Sequence, residues 1–223
     1  MKKHWKPTEA RSKIIDMEYD PTKSNYETAN DWHAEKSELY NWSPQLDAFL
    51  QFANVKPEKV LDAGSGGSGR DIRQFRQRGI VVEGLDYSHA AVEKLKQQFP
   101  DGKFYEVDLR STSLPVENYD GVWACASLLN LKKSEVPAAL SEFKRILKPK
   151  GKLFVSVKEG QGERMIPDKA GERLFSFYSE DEIRKIVETA GFQIDHSEVM
   201  EDTFTNAAPK TLPRWISVYA IKT

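Results

Sequence analysis

The stretch that most constrains this chain is Val60-Leu-Asp-Ala-Gly-Ser-Gly-Gly-Ser-Gly-Arg-Asp71, in which a short apolar run empties into four glycines among six positions and then into a charged segment. Glycine accepts positive φ and lets a backbone come close to a ligand. A helix that begins just past such a turn aims unpaired N–H groups back at it. Strand, glycine turn and helix form the first half of a βαβ unit, and that unit needs a parallel sheet to close on.

The rest of the chain supplies the sheet. Short apolar runs at residues 60–62, 80–86, 103–107, 119–126 and 152–157 predict five parallel strands. Between them lie helical patterns whose inner faces carry Ile72 and Phe75, then Val92 and Leu95, then Val136, Leu140, Phe143 and Leu147. The last of these helices is expected to run from near Ser134 to the Pro149 and Gly151 pair. Ser179-x-x-Glu182 is a capping box for a helix that Gly191 closes, and residues 192–199 and 215–222 read as two final strands. Another helix over residues 44–52, with Ser43 as its expected N-cap, turns Leu46, Phe49 and Leu50 inward. The expected fold is α/β: a doubly wound, mostly parallel sheet of seven strands, five of them parallel and two an antiparallel pair at the C-terminal end.

Residues 1–42 are more polar and carry Tyr19, Tyr26, Trp32, Tyr40 and Trp42. They read as an N-terminal helical cap, packed on the core or closing as a lid over a site, with residues 43–223 as the main domain. Residues 158–164, Lys-Glu-Gly-Gln-Gly-Glu-Arg, mix charge and glycine as a mobile loop or an acceptor-binding segment does.

Composition narrows function by exclusion. Lys and Arg number 33 against 34 Asp and Glu, and the net charge of -1 gives no general reason to bind nucleic acid or an anionic membrane. No run approaches the roughly 18 apolar residues of a membrane span. The basic residues among the first 13 have no apolar stretch behind them and read as a solvated tail. Cys125 is the single cysteine, which excludes an intramolecular disulfide and a multi-cysteine zinc site and fits a reducing, cytoplasmic setting. On a buried strand it reads as a small core residue. His4, His33, His89 and His196 are scattered without metal-ligand spacing, so no metal is expected.

Taken alone, the glycine turn leaves two ligands open. Gly64, Gly66 and Gly69 match GxGxxG, with Asp86 where the ribose-binding acid of a dinucleotide fold stands, as in an NAD(P)-dependent oxidoreductase. Two features favour another ligand. Asp62, two residues before Gly64, would repel a diphosphate but attract an ammonium group. Asp62, Asp86 and Asp108 also close the first three strands, at the carboxyl edge where open α/β sheets bind ligands. One acid for an amino group, one for a ribose and one for an adenine amine describes S-adenosylmethionine. A non-catalytic protein that binds this cofactor would show the same pattern.

The order Val60-Leu-Asp-Ala-Gly-x-Gly, Gly84-Leu-Asp-Tyr-Ser88, Val107-Asp-Leu109, Tyr119-Asp-Gly-Val-Trp-Ala-Cys-Ala-Ser-Leu-Leu129, Leu147-Lys-Pro-Lys-Gly-Lys-Leu153 and Ala190-Gly-Phe192 resembles the class I S-adenosylmethionine-dependent methyltransferases, and within them a bacterial subgroup of small enzymes. The resemblance runs from about residue 44 to the C-terminus. It implies methyl transfer from S-adenosylmethionine to a small-molecule acceptor, with Gly64, Ser65 and Gly66 against the methionine part and Asp62 serving its amino group through water or backbone. Asp86 would accept both ribose hydroxyls and Tyr87 would cover the adenine. Asp108 would accept from the adenine amine, the Leu109 backbone would donate to a ring nitrogen, and Ala124 or Cys125 would touch the methionyl chain. Two departures stand out. The family usually spaces its glycines Gly-x-Gly-x-Gly, whereas this turn has one extra residue, and the subgroup typically has His where this chain has Asn130. Any base would then be sought at Asn130, Lys158, Glu159 or in the lid.

Overall fold

The structure is a computed structural model and describes residues 20–201 and 214–223; the basic N-terminal run and Tyr19 lie outside the described residues. Three helices lead in: α1 (Pro21–Thr28), α2 (Asn30–Glu38) and α3 (Ser43–Gln51). The alternating part follows as β1 (Lys59–Ala63), α4 (Arg70–Gln77), β2 (Val81–Asp86), α5 (His89–Gln98), β3 (Phe104–Glu106), β4 (Tyr119–Cys125), α6 (Val136–Ile146) and β5 (Leu147–Glu159). The chain ends with β6 (Glu163–Asp168), β7 (Gly171–Tyr178), α7 (Glu180–Thr189), β8 (Phe192–Met200) and β9 (Trp215–Lys222).

The five expected parallel strands lie in the order β3-β2-β1-β4-β5, and β9 and β8 add the antiparallel pair on the far side of β5. Two further strands are present that the sequence pattern did not predict. Residues 158–164, read as a loop, instead comprise the end of β5, a tight turn and the start of β6, and β6 pairs with β7 as an antiparallel hairpin. The hairpin hangs from β5 by Lys158↔Phe177 and Glu159↔Tyr178, beyond the point where β4 ends opposite Ser156.

Two boundaries also moved. The helix expected to reach Pro149 stops at Ile146, because Leu147 turns extended (φ -72°, ψ 138°) and begins β5 opposite Tyr119. The spacing of Phe143 and Leu147 fits a helix, but both are fully buried in either element, so burial pattern alone does not locate the end. Trp42, not Ser43, is the N-cap of α3; Ser43 is its first residue and donates its hydroxyl to Gln74 Oε1 at 2.7 Å.

The core fills both faces of the sheet, as parallel strands require. Trp123 stacks on Phe154 at 3.8 Å, and Phe49 and Phe75 meet it edge-on at 5.4 and 5.7 Å. Trp123 has a polar edge as well: its Nε1–H donates to Asp71 Oδ2 at 3.0 Å, which ties the core to the first residues of α4. Among the described residues, no helix is long and apolar enough to cross a membrane.

α1 and α2 are short and weakly amphipathic, so tertiary contacts must hold them. Asp20 caps α1 by accepting from Thr22 and Lys23 amides at 2.9 and 3.1 Å. Glu27 of α1 accepts from the first amides of α5, His89 at 2.6 Å and Ala90 at 2.9 Å, while Thr22 Oγ1 accepts from Leu174 N of β7 at 2.9 Å. α1 therefore bridges the two sides of the sheet's carboxyl edge.

Candidate functional site

At that edge lies a cavity of about 800 Å³, near the upper end of ligand pockets. Gly64, Ser65, Gly66, Asp86, Tyr87, Asp108, Leu109 and Cys125 line it, so eight of the ten sequence-derived positions meet in one place. Asp62 and Ala124 do not line it; both are buried behind its wall.

The glycine turn has its own geometric demands. Gly64 has φ +83°, and a Cβ there would stand 2.4 Å from that of Ser127. Its N–H and that of Ser65 both donate to Leu85 O at 2.9 Å, folding the turn back on β2. At the start of α4, Ser68 Oγ accepts from Arg70 N at 3.1 Å and Gly69 takes a left-handed conformation. A Cβ on Gly67 would meet Asn30 Oδ1 at 2.5 Å, so α2 presses directly on the loop.

Asp86 ends β2 and uses both oxygens on backbone amides, accepting from Gly66 N and Ser88 N at 2.9 Å each. It thereby fixes the turn and the start of α5 together. Each carboxylate oxygen retains a lone pair. Burial pushes the Asp86 carboxyl up, against the pull of these amides. The Asp62 carboxyl is pushed well above its ordinary value, first by burial and then by the Asp71 carboxylate, with Asp86 adding to it. Asp71 is held by Arg70 through two hydrogen bonds of 2.7 Å.

Three buried carboxylates, Asp62, Asp71 and Asp86, thus surround the turn and are answered by the Arg70 guanidinium. Asp71 and Asp86 line the cavity; with Asp71 paired to Arg70 and the Asp62 and Asp86 carboxyls raised by burial, the cluster offers placed hydrogen-bonding groups more than a net negative field. Arg70 also donates to Ser37 O at 2.9 Å, which ties the end of α2 to the turn.

Asp108 is placed at the cavity wall but is not idle. Arg110 donates to both its oxygens and also reaches Glu135, so the Asp108 carboxyl is held below its usual value although burial opposes this. Cys125 is buried at the cavity wall, and burial pushes its thiol well up.

Of the positions where a base was sought, Asn130 and Lys158 line the cavity, whereas Glu159 is paired with Arg214 at 2.7 Å. Asn130 acts as a connector. It accepts from Tyr26 OH at 2.8 Å and donates to Leu174 O at 2.7 Å. Arg173 completes this circuit by donating to Tyr26 OH at 2.5 Å and to Asp168. Tyr26 was expected from the sequence in a lid over the site and lines the cavity; sequence reasoning missed His33, Arg173 and Trp215. Arg173 lies on the unexpected hairpin, and His33 has no partner near it in sequence that marks a site. Among the described residues, no cluster of three or more His, Cys, Asp or Glu is placed to hold a metal ion.

Residues 33–197 match the family described as Methyltransferase domain. Over 102 residues the chain is 30% identical to demethylmenaquinone methyltransferase of Renibacterium salmoninarum, covering 46% of this chain and 42% of that protein's length. The fold is similar to that of Burkholderia thailandensis 1,6-didemethyltoxoflavin-N1-methyltransferase, solved with 1,6-didemethyltoxoflavin and S-adenosylhomocysteine: TM-score 0.69, 24% identity, 90% of this chain and 84% of that one. It is also similar to a methyltransferase from Methanosarcina mazei, with TM-score 0.68, 19% identity and coverage of 80% and 97%. With the family matched over residues 33–197, the chain belongs to the class I S-adenosylmethionine-dependent methyltransferases.

Proposed function

We propose that the cavity holds S-adenosylmethionine across the ends of β1 to β4 and a small-molecule acceptor beyond β4, and that the chain transfers the methyl group by in-line displacement. In this reading Asp86 accepts both ribose hydroxyls on its remaining lone pairs. Tyr87 covers one face of the adenine, the Leu109 N–H meets a ring nitrogen, and Asp108 takes the adenine amine in competition with Arg110. Backbone of Gly64, Ser65 and Gly66 follows the methionine part, with Ala124 or Cys125 alongside, and Asp62 serves the ammonium through water or backbone.

The bound cofactor supplies a methyl group on a sulfonium, which is already an activated leaving group. The protein's share is alignment and exclusion of water, which together contribute about 7–11 kcal/mol where geometry is tight. In this reading α1 and α2 on one side and β7 on the other supply that enclosure, as parts of an N-terminal lid, expected over residues 1–42, on a domain of residues 43–223. A lone buried cysteine and a net charge of -1 support a cytoplasmic enzyme without a nucleic-acid substrate.

The observation that carries the reading is a single cavity that reaches from Asp86 and the glycine turn to Arg173 and Trp215. Its about 800 Å³ leaves room for a second ligand beside the cofactor. Calorimetric titration with S-adenosylhomocysteine is expected to give micromolar binding, and release of that product is expected with small acceptors. Absence of binding, or methylation confined to RNA or protein, would reject the proposal.

A further inference from the structure

On the side of β4 away from the three acids, the cavity wall is aromatic. Trp215 takes Tyr40 and Trp42 edge-on at 6.1 and 5.2 Å, and Lys158 Nζ lies 3.8 Å from its ring centre. Phe175 and Phe177 lie within 25° of parallel, with centroids 6.3 Å apart. The guanidinium of Arg173 covers Tyr26 at 5.0 Å and Phe175 at 4.8 Å. Faces and edges of this kind attract a flat π-system more strongly than an aliphatic ring of equal area.

The polar groups among these rings are mostly committed to one another. Arg173 is satisfied by Asp168 and Tyr26, and Asn130 by Tyr26 and Leu174 O. His33 is different. Its ring lies 4.5 Å from that of Tyr26, and its Nε2 lies 2.7 Å from Oδ1 of the fully buried Asn25. With Nε2–H donated to Asn25, the lone pair resides on Nδ1. Burial first, and then the positive charge of Arg173, lower the ring's pKa to about 4, which keeps it neutral and an acceptor at physiological pH.

We infer that this part of the cavity binds a planar aromatic compound carrying an O–H or N–H, stacked among the aromatic side chains and donating that hydrogen to His33 Nδ1. The inference rests on the functional reading above and names the acceptor class it requires. His33 acts here as a binding residue that orients the acceptor's heteroatom.

Three probes separate these features on protein saturated with S-adenosylhomocysteine: 2-naphthol, 2-methoxynaphthalene, which lacks the donor, and 2-decalol, which lacks the flat ring. Titrations followed by ligand-observed NMR are expected to show 2-naphthol bound about three- to tenfold more tightly than either of the others. His33→Phe is expected to remove its advantage over 2-methoxynaphthalene while leaving its advantage over 2-decalol. Equal binding of the three probes to the unaltered protein would overturn the inference, even if the variant does not fold. So would a His33→Phe protein that weakens 2-naphthol and 2-methoxynaphthalene alike. Failure of S-adenosylhomocysteine itself to bind, measured first, would overturn the functional reading and this inference with it.

Discussion

Asp86→Asn separates what this residue does for the fold from what it does for the cofactor. Both oxygens accept backbone amides at 2.9 Å, so an isosteric amide keeps one of these bonds and turns an N–H against the other. Losing one such bond costs about 0.5–1.5 kcal/mol. Against this stands the direction of the Asp86 pKa, which burial raises above its unfolded value. The folded state therefore favours the protonated form, and the ionised carboxylate becomes a net cost as pH rises through the carboxylate range. Asparagine carries no such cost, so the two effects oppose each other and the ligand-free protein should change by no more than about 1 kcal/mol, roughly 2–4 °C in Tm for a chain of this length.

Cofactor binding has no such compensation. On the proposed placement, two ribose hydroxyls lose a charged acceptor, worth about 1.5–3 kcal/mol, or roughly 10–100-fold in affinity. Thermal melts without ligand and calorimetry with S-adenosylhomocysteine measure the two effects separately. A variant that melts far lower yet binds the product as tightly as before would refute the reasoning and reduce Asp86 to a structural cap.

Two further outcomes follow from the same geometry. Gly64→Ala must place a Cβ 2.4 Å from Ser127 Cβ at φ +83°, which should cost about 2–5 kcal/mol from left-handed strain and overpacking combined; adding Ser127→Gly should recover the packing part alone in chemical denaturation, and full recovery would show that the backbone conformation is not strained. Arg145, with help from Thr112 and against burial, pulls the Glu142 carboxyl down to about 2, so its stabilisation is present above the unfolded value and lost as pH falls towards 2. About 1–3 kcal/mol should disappear by this route after discounting for the partly exposed Arg145, and urea melts at pH 5 and pH 3 should show Glu142→Gln losing less than the unaltered protein; an equal loss would count against the pair.

How much of this was legible in the sequence depends on how local each signal is. The glycine turn, the three acids and the buried strands are written in short stretches, and the structure brings the turn, Asp86 and Asp108 to one cavity. The hairpin β6–β7 is not written this way. Residues Glu163–Asp168 are largely exposed and mix charged and apolar side chains without a clean alternation. Besides the internal pair of Arg173 with Asp168, what holds the hairpin is distant: Tyr26, and two residue pairs at the end of β5. His33 lies close in sequence to Asn25 and Tyr26, but its contacts with them form because α1 and α2 fold against each other, which no motif marks. The role of Asp62 was only half legible: its position at the end of β1 could be read, but not that its side chain lies behind the wall.

The hairpin's attachment has a consequence for how this scaffold could be altered. Because β6 and β7 join the sheet through the last two residues of β5, and none of β1, β2 and β3 pairs with them, the part proposed to contact the acceptor is separate from the strands that carry Asp62 and Asp86. A transplanted hairpin of different length or side chains would retune selectivity while the adenosyl-binding half stayed intact, provided it still offered partners for Thr22 and Tyr26. Those two side chains are part of the engineering limit, with Asn130, Leu131 and Lys133, which bond Leu174, Ser176 and Glu163: a graft that omitted partners for Thr22 and Tyr26 would loosen α1 and, through Glu27, the start of α5 as well.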